Sequence, residues 1–183
     1  MYILETARLG LRDWQESDVP LFAAMCSDPR VMEFFPKTLT KEEAREMITR
    51  LKQHIAVKGY GFWAVDIKAT GEFIGFVGLE TPRFEADFTP CVEIGWRLAY
   101  QYWNKGYAQE AAKKCLEFGF NQLGLAEIVA FTSVMNKRSI NVMKKIGMTY
   151  VKDFEHPNIK PGNPLRRHVL YSIASRPCSV VIF

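Results

Sequence analysis

The run Trp103-Asn104-Lys105-Gly106-Tyr107-Ala108-Gln109 has the residue types of an anion cradle. It follows an apolar stretch of β character, residues 92–99. It leads into a helical pattern in which Ala108, Ala111, Ala112, Cys115, Leu116, Gly119 and Phe120 recur at three- and four-residue spacing. A strand that turns through glycine into a helix presents unspent backbone N–H groups and the positive end of the helix dipole. Gly106 has no Cβ and lets the backbone approach a phosphate closely. Lys105 adds a cation, and Ala108 keeps the first helical turn open. The run is neither GxxxxGK[ST] nor GxGxxG, which argues against nucleotide loops of those two kinds.

A second chemical group follows about one strand later. Asn136-Lys137-Arg138-Ser139 opens a helical segment that ends at Ile146-Gly147-Met148. Asn136 and Ser139, three apart, share one side of that helix start. Glu93 sits early in the apolar strand before the Gly106 turn. A carboxylate there has its pKa raised unless it is paired, which suits a base. An ion pair across the sheet, or a place in solvent, is the structural alternative.

The Gly106 turn and the Asn136 segment together resemble the GNAT N-acetyltransferase superfamily. Its acyl-CoA pyrophosphate loop reads Gln/Arg-x-x-Gly-x-Gly/Ala, and its later signature is Asn-x-x-Ser/Ala, then Gly and an apolar residue. Thr6-Ala7-Arg8-Leu9-Gly10-Leu11-Arg12 and Tyr102-Trp103-Asn104-Lys105-Gly106-Tyr107-Ala108 are most similar to the Rim-type branch, the ribosomal-protein alanine N-acetyltransferases and their relatives. The likeness spans residues 6–171. It implies the GNAT fold, a mixed α/β architecture. A central, mostly antiparallel sheet holds one parallel strand pair that splays apart, and the pantetheine arm of acyl-CoA lies in the gap.

The resemblance also assigns roles. Lys105, Gly106, Tyr107, Ala108 and Gln109 would hold the pyrophosphate, and the backbone near Leu98 would pair with pantetheine. Asn136 would bind a pantetheine amide or cap its helix. Ser139 would donate to the departing sulfur, with a plain helix-start serine as the alternative. Glu93 would accept the amine proton, with Glu33, Asp153 and Glu155 as competing carboxylates. Met143 stands where many relatives carry a tyrosine acid, and Trp103 where the wider family has Gln or Arg. Trp14, Phe34, Phe35 and Tyr100 would wall the amine pocket or belong to the core. His156 and His168 would border the acceptor, His156 with proton transfer near neutral pH, or be structural. Lys144-Lys145 is a solvated face or meets the ribose 3′-phosphate. The implied activity is direct transfer of acetyl from acetyl-CoA, without a metal, to a primary amine of a protein N-terminus or small molecule. A noncatalytic acyl-CoA sensor is the alternative, and Met143 gives it a foothold.

These groups need a scaffold of alternating elements. Residues 8–12 predict a strand with Leu9 and Leu11 alternating. Glu16-Ser17-Asp18 offers caps for a helix carrying Leu21, Phe22 and Met25. Thr40-Lys41-Glu42-Glu43 resembles a capping box before a helix with Ala44, Met47, Ile48, Leu51 and Ile55 on its apolar face. Residues 62–67 and 72–79 predict a hairpin through Lys68-Ala69-Thr70-Gly71. Strands over 92–99 and 128–134 flank the Gly106 helix, which predicts parallel neighbours joined by a right-handed crossover. A helix over 137–146 and strands over 148–154 and 168–173 complete the order. Pro157, Pro161, Gly162 and Pro164 mark a long loop.

A chain of 183 residues suits one domain, here residues 1–174, with an apolar tail at 175–183. Hydrophobic residues at 48% and charged residues at 24% indicate a globular chain. The net charge of +4 is too mild and dispersed to point to nucleic acid. Cys26, Cys91, Cys115 and Cys178 form no CxxC, and with no evident signal peptide they read as free thiols in the cytoplasm. The histidines lack metal-binding spacing, no apolar run reaches membrane-spanning length, and a monomer or homodimer is expected.

Overall fold

Thr40 and Glu43 form the expected capping box: Thr40 accepts from the Glu43 N–H, and the Glu43 carboxylate accepts from the Thr40 N–H. They start the longest helix of a computed structural model that describes residues 1–175. Strands β1 (Leu4–Glu5) and β2 (Leu9–Arg12) precede helices α1 (Asp18–Ser27) and α2 (Lys41–Lys58). Next come β3 (Phe62–Ile67), β4 (Glu72–Glu80), β5 (Glu93–Leu98), a 3₁₀ turn (Tyr100–Tyr102) and α3 (Tyr107–Asn121). Strand β6 (Glu127–Ser133), helix α4 (Lys137–Lys145), β7 (Thr149–Glu155) and β8 (Arg167–Ala174) close the order.

The strands form one eight-stranded sheet in the order β1-β2-β3-β4-β5-β6-β8-β7. All neighbours are antiparallel except β5 and β6, the pair joined through α3. That parallel pair has a single register position, Glu93 opposite Val129, and then opens. The fold is thus the mixed α/β sheet with one splayed parallel pair.

Each sheet face has its own core. Ile94 and Leu98 of β5 pack with Ala111, Ala112, Cys115 and Leu116 of α3. Phe62, Ala64 and Phe76 pack on the opposite face with α1 and α2. Alternation along β5 therefore sends Ile94, Trp96 and Leu98 toward the α3 core and Glu93, Gly95 and Arg97 toward the α1–α2 side.

Several expectations need correction. Ser17 makes no side-chain cap on α1. Asp18 instead is 2% exposed and pairs with Arg12 at 2.7 Å, while Arg12 also binds Asp66 at 2.6 Å. This buried triad ties β2, α1 and β3 together. Leu21 is 53% exposed, because Val19, Phe22 and Cys26 form the inward stripe. Strand β1 was not predicted: two residues are too few for a periodic signal. The tail expected at 175–183 lies, beyond Ser175, outside the described residues, as does Cys178. Cys26, Cys91 and Cys115 are free thiols.

Candidate active site

The opening between β5 and β6 has a definite backbone edge. The Val129 N–H donates to the Val92 carbonyl at 3.0 Å, whereas the Ala99 N–H donates to Ile74 of β4 at 2.9 Å. Backbone direction alternates along a strand. Trp96 and Leu98 therefore turn their N–H and C=O groups toward the gap. The Leu98 carbonyl accepts from Trp103 Nε1 at 2.8 Å. This bond gives Trp103 a task of its own: its indole anchors the loop to the end of β5.

Beyond that anchor the chain passes through two left-handed residues, Asn104 (φ 60°) and Gly106 (φ 79°). Alternating handedness of this kind turns successive N–H groups inward as an anion-binding nest. The first helical bond of α3 runs from the Glu110 N–H to the Gly106 carbonyl at 3.0 Å. The N–H groups of Tyr107, Ala108 and Gln109 precede it and have no intrahelical acceptor. Lys105 and Gly106 are exposed, and Tyr107, Ala108 and Gln109 half-buried. A nest beside an open strand edge fits a ligand that carries both phosphates and amides.

The Thr6-Ala7-Arg8 segment braces this loop from below. Thr6 Oγ1 donates to Glu110 Oε1 at 2.5 Å, and the Arg8 N–H to the same oxygen at 3.0 Å. Arg8 Nε reaches Glu110 Oε2 at 2.7 Å, and Arg8 Nη1 donates to the Lys105 carbonyl at 3.0 Å. The Arg8 guanidinium also lies 4.6 Å from the Tyr107 ring centroid. Glu110 would repel a phosphate at this helix start; Arg8 offsets its charge. Arg8→Ala is expected to leave that charge unopposed and the loop untied. CoA affinity should fall about tenfold, the scale of one charge-assisted hydrogen bond. Calorimetry at two salt concentrations checks this; an unchanged dissociation constant would refute it.

At α4 the two readings of Asn136 and Ser139 meet. Asn136 is the N-cap, and its Oδ1 accepts from the Ser139 N–H at 3.2 Å. Its Nδ2 donates to Ser139 Oγ at 3.1 Å and to Thr132 Oγ1 at 3.0 Å. Ser139 Oγ therefore serves as an acceptor toward Asn136, and its own proton is available to point elsewhere. Met143 is 2% exposed in the α3-side core and supplies no donor.

Of the four candidate carboxylates, Glu93 is the one without a partner among the described residues. Glu33 pairs with Arg138, Asp153 with Arg167 at 2.6 Å, and Glu155 with Arg166 at 2.8 Å. Burial, and secondly the charge of Glu80 directly across on β4, raise the Glu93 pKa to about 8. Burial raises Glu80 too, with Arg83 and Arg50 opposing. His54 Nδ1 stands 3.8 Å from Glu80 Oε1, too far for a hydrogen bond. Burial, Arg83 and Lys58 hold His54 in its neutral form.

The expected acceptor residues divide. Phe35 is 37% exposed and lines a cavity of about 380 Å³ between the segment after α1, helix α2 and β5. Trp14 does not line it. It is 3% exposed, donates from Nε1 to the Phe62 carbonyl at 2.7 Å, and packs on Phe22, Phe73 and Phe76. It is a core residue, placed there because its single N–H finds a partner inside. His156 lies in an aromatic cluster, 4.6 Å from Phe84 and 4.9 Å from His168 by ring centroids. Burial and then His168 lower its pKa to about 4, which favours the neutral imidazole. Burial lowers His168 as well. Tyr100 stacks under Arg30 at 4.0 Å, and Phe34 lies 5.7 Å from Arg138. Lys144 and Lys145 occupy the exposed last turn of α4, at the opposite end from Asn136. That end favours cations through the helix dipole and removes them from the Ser139 end.

Sequence reasoning missed Arg97, Glu110 and Glu80. Arg97 alternates with Glu93 at even spacing on an apolar strand, and that spacing was the available signal. Glu110 puts the wrong charge at an anion-binding helix start, which itself announces a hidden cation.

Residues 8–149 match the family model described as acetyltransferase (GNAT) domain. The Bacillus subtilis protein YkkB is 38% identical over 152 residues, spanning 81% of this chain and 86% of its own. The Aspergillus fumigatus FsC-acetyl coenzyme A-N(2)-transacetylase is 34% identical over 161 residues, spanning 82% of this chain and 66% of its own. The crystal structure of a GNAT-family acetyltransferase from Bacillus anthracis superposes with a TM-score of 0.78 at 27% identity. It covers 93% of this chain and 97% of that one.

Proposed function

This chain belongs to the GNAT acetyltransferase family, and on that premise we propose that it moves an acetyl group from acetyl-CoA directly to a primary amine. The observation that carries the reading is the unpaired Glu93 at the point where β5 and β6 separate, beside an open strand edge that leads to the Gly106 nest. Bound acetyl-CoA would supply the thioester. Lys105, Gly106, Tyr107, Ala108 and Gln109 would hold its pyrophosphate, and the Trp96 and Leu98 backbone its pantetheine amides. Asn136 would orient Ser139. Glu93 would take the amine proton on its carboxylate, and Ser139 Oγ would donate to the sulfur as negative charge develops there. The family supplies the reaction class; the acceptor, a small molecule or a protein N-terminus, is decided by the α1–α2 side of the sheet. A single domain over residues 1–174, working in the cytoplasm as a monomer or homodimer, accords with this reading.

Thiol release from acetyl-CoA across a panel of amines tests it. Acetyl-CoA binding without turnover on any amine would favour the noncatalytic sensor that Met143 suggests. Ser139→Ala supplies a second test. A donor acting on the transition state is expected to cost about tenfold in kcat with CoA affinity nearly unchanged. A serine that only supports the helix start predicts a lower melting temperature, by about 1 kcal/mol of stability, with wild-type chemistry. Single-turnover rate and melting temperature on one Ser139→Ala sample separate the two.

A further inference from the structure

Arg97 has no ion pair among the described residues. It extends from β5 on the same face as Glu93 and lines the 380 Å³ cavity with Met32, Phe35, Leu39 and Met47. Its guanidinium sits 4.1 Å from the Phe35 ring and 5.4 Å from Phe76. Nη1 donates to Cys26 Sγ at 3.3 Å. Nε is fully shielded from solvent and has no acceptor among the described residues. Burial keeps the Cys26 thiol protonated, so it is a neutral neighbour and no counter-ion. Of the other charges around the cavity, Lys37 is paired with Glu43. Glu46 and Arg50 sit one turn apart on the exposed face of α2, at the rim. The deep end is therefore a cation with its charge unopposed. Shielding a charge without a counter-ion is costly, and only the Phe35 and Phe76 ring faces and the Cys26 sulfur offset it here.

We infer that Arg97 receives a carboxylate of the acceptor, so that the substrate is an amine carrying its own carboxylate several bonds away. The Nη1–Nη2 end of a guanidinium matches a carboxylate with two parallel hydrogen bonds, and of its four N–H groups only one, on Nη1, is engaged by Cys26 among the described residues. The two aromatic rings hold the fork in place and exclude water. Spacing sets the substrate's length. Glu93 and Arg97 are four strand residues apart, about 13 Å between their Cα atoms. With side chains rising side by side from the sheet, an amine at Glu93 and a carboxylate at Arg97 favour an acceptor whose two ends lie several bonds apart over an α-amino acid. A chain of several atoms fits, as in an ω-amino acid or a peptide-like acid. The inference rests on reading the Glu93 face of β5 as the acceptor side.

The test pairs ε-aminohexanoate with n-hexylamine, which differ only in the carboxylate. Calorimetry on CoA-saturated protein reads binding without requiring turnover, and thiol release reads catalysis. Wild type should bind and acetylate ε-aminohexanoate at least tenfold better, mostly through KM, with glycine a poor acceptor. Arg97→Met should treat the two amines alike while keeping CoA affinity and an equal or higher melting temperature. A purely structural arginine would lower that temperature. Should Arg97→Met not fold, Arg97→Lys retains the charge and loses the fork, and an intermediate preference is expected. Equal binding of the two amines to wild type overturns the inference, as does a preference that survives in the variant. Discrimination in binding with no thiol release from either amine would instead sink the acetyl-transfer reading and leave the carboxylate site standing.

Discussion

Glu93→Gln is expected to lower kcat/KM about 100-fold at pH 8–9, the usual scale for losing a general base. The wild-type rate should climb with pH through the region around 8, where Glu93 loses its proton. The variant should lack that ascending limb. Parallel pH profiles for the two proteins would remove Glu93 from the chemistry. Stability gives an independent reading with a definite sign. An unfolded glutamate titrates near 4.3, whereas Glu93 in the fold titrates near 8. Between these values the folded state holds a proton that the unfolded state has lost, so stability falls as pH rises. Below the lower value both states are protonated and the effect vanishes. Above the upper value the penalty is complete, on the order of a few kcal/mol. Glu93→Gln should therefore raise the melting temperature by roughly 5 °C or more at pH 9 and hardly change it at pH 4.5. A carboxylate paired for structural reasons would give the reverse, with Gln destabilising at high pH. A variant that is more stable and less active at the same pH is the signature of a charge kept for chemistry.

The same residue shows what was legible in the sequence. A glutamate among apolar strand residues stands out, and its type and position identified it. Its isolation was hidden, because Glu33, Asp153 and Glu155 are equally plausible until their arginine partners are seen. Long-range pairing leaves no periodic trace. The helices and the central hairpin followed from 3.6- and 2-residue periodicity and from capping and turn residues, which are local. The splayed parallel pair followed from element order and from the family resemblance. Trp14 misled because aromatic type does not distinguish a pocket wall from a core ring with a satisfied N–H. The setting of His156 was hidden in a different way: the residue type allows titration near neutrality, but the Phe84 ring that helps to bury it comes from a distant segment, and His168 approaches it only once β7 and β8 pair. Arg97 was passed over for a related reason. A lone cation in a strand reads as one half of an ion pair, and only the fold shows that the other half is absent among the described residues.

The pyrophosphate nest carries the remaining large effect, and Gly106 separates its two components. At φ 79° the backbone is in the left-handed region, where a Cβ is strained whatever the space around it. Space itself is not limiting, since a Cβ at Gly106 would meet only Arg8 Nη2, at 3.4 Å. Gly106→Ala should therefore show strain alone, about 1 kcal/mol of stability, with a small loss of CoA affinity. Gly106→Asn, which tolerates this conformation better, should be milder still. Gly106→Glu adds a negative charge where phosphate oxygens would meet the free N–H groups. It is expected to weaken CoA binding by a further ~2 kcal/mol, on the order of 30-fold or more. The added penalty should shrink as salt screens it, while the strain common to all three variants does not. Titrating CoA into the three proteins at low and high ionic strength reads both components. Equal affinity in wild type and Gly106→Glu would mean that the anion is held elsewhere, and the assignment of Lys105 to Gln109 would fall with it.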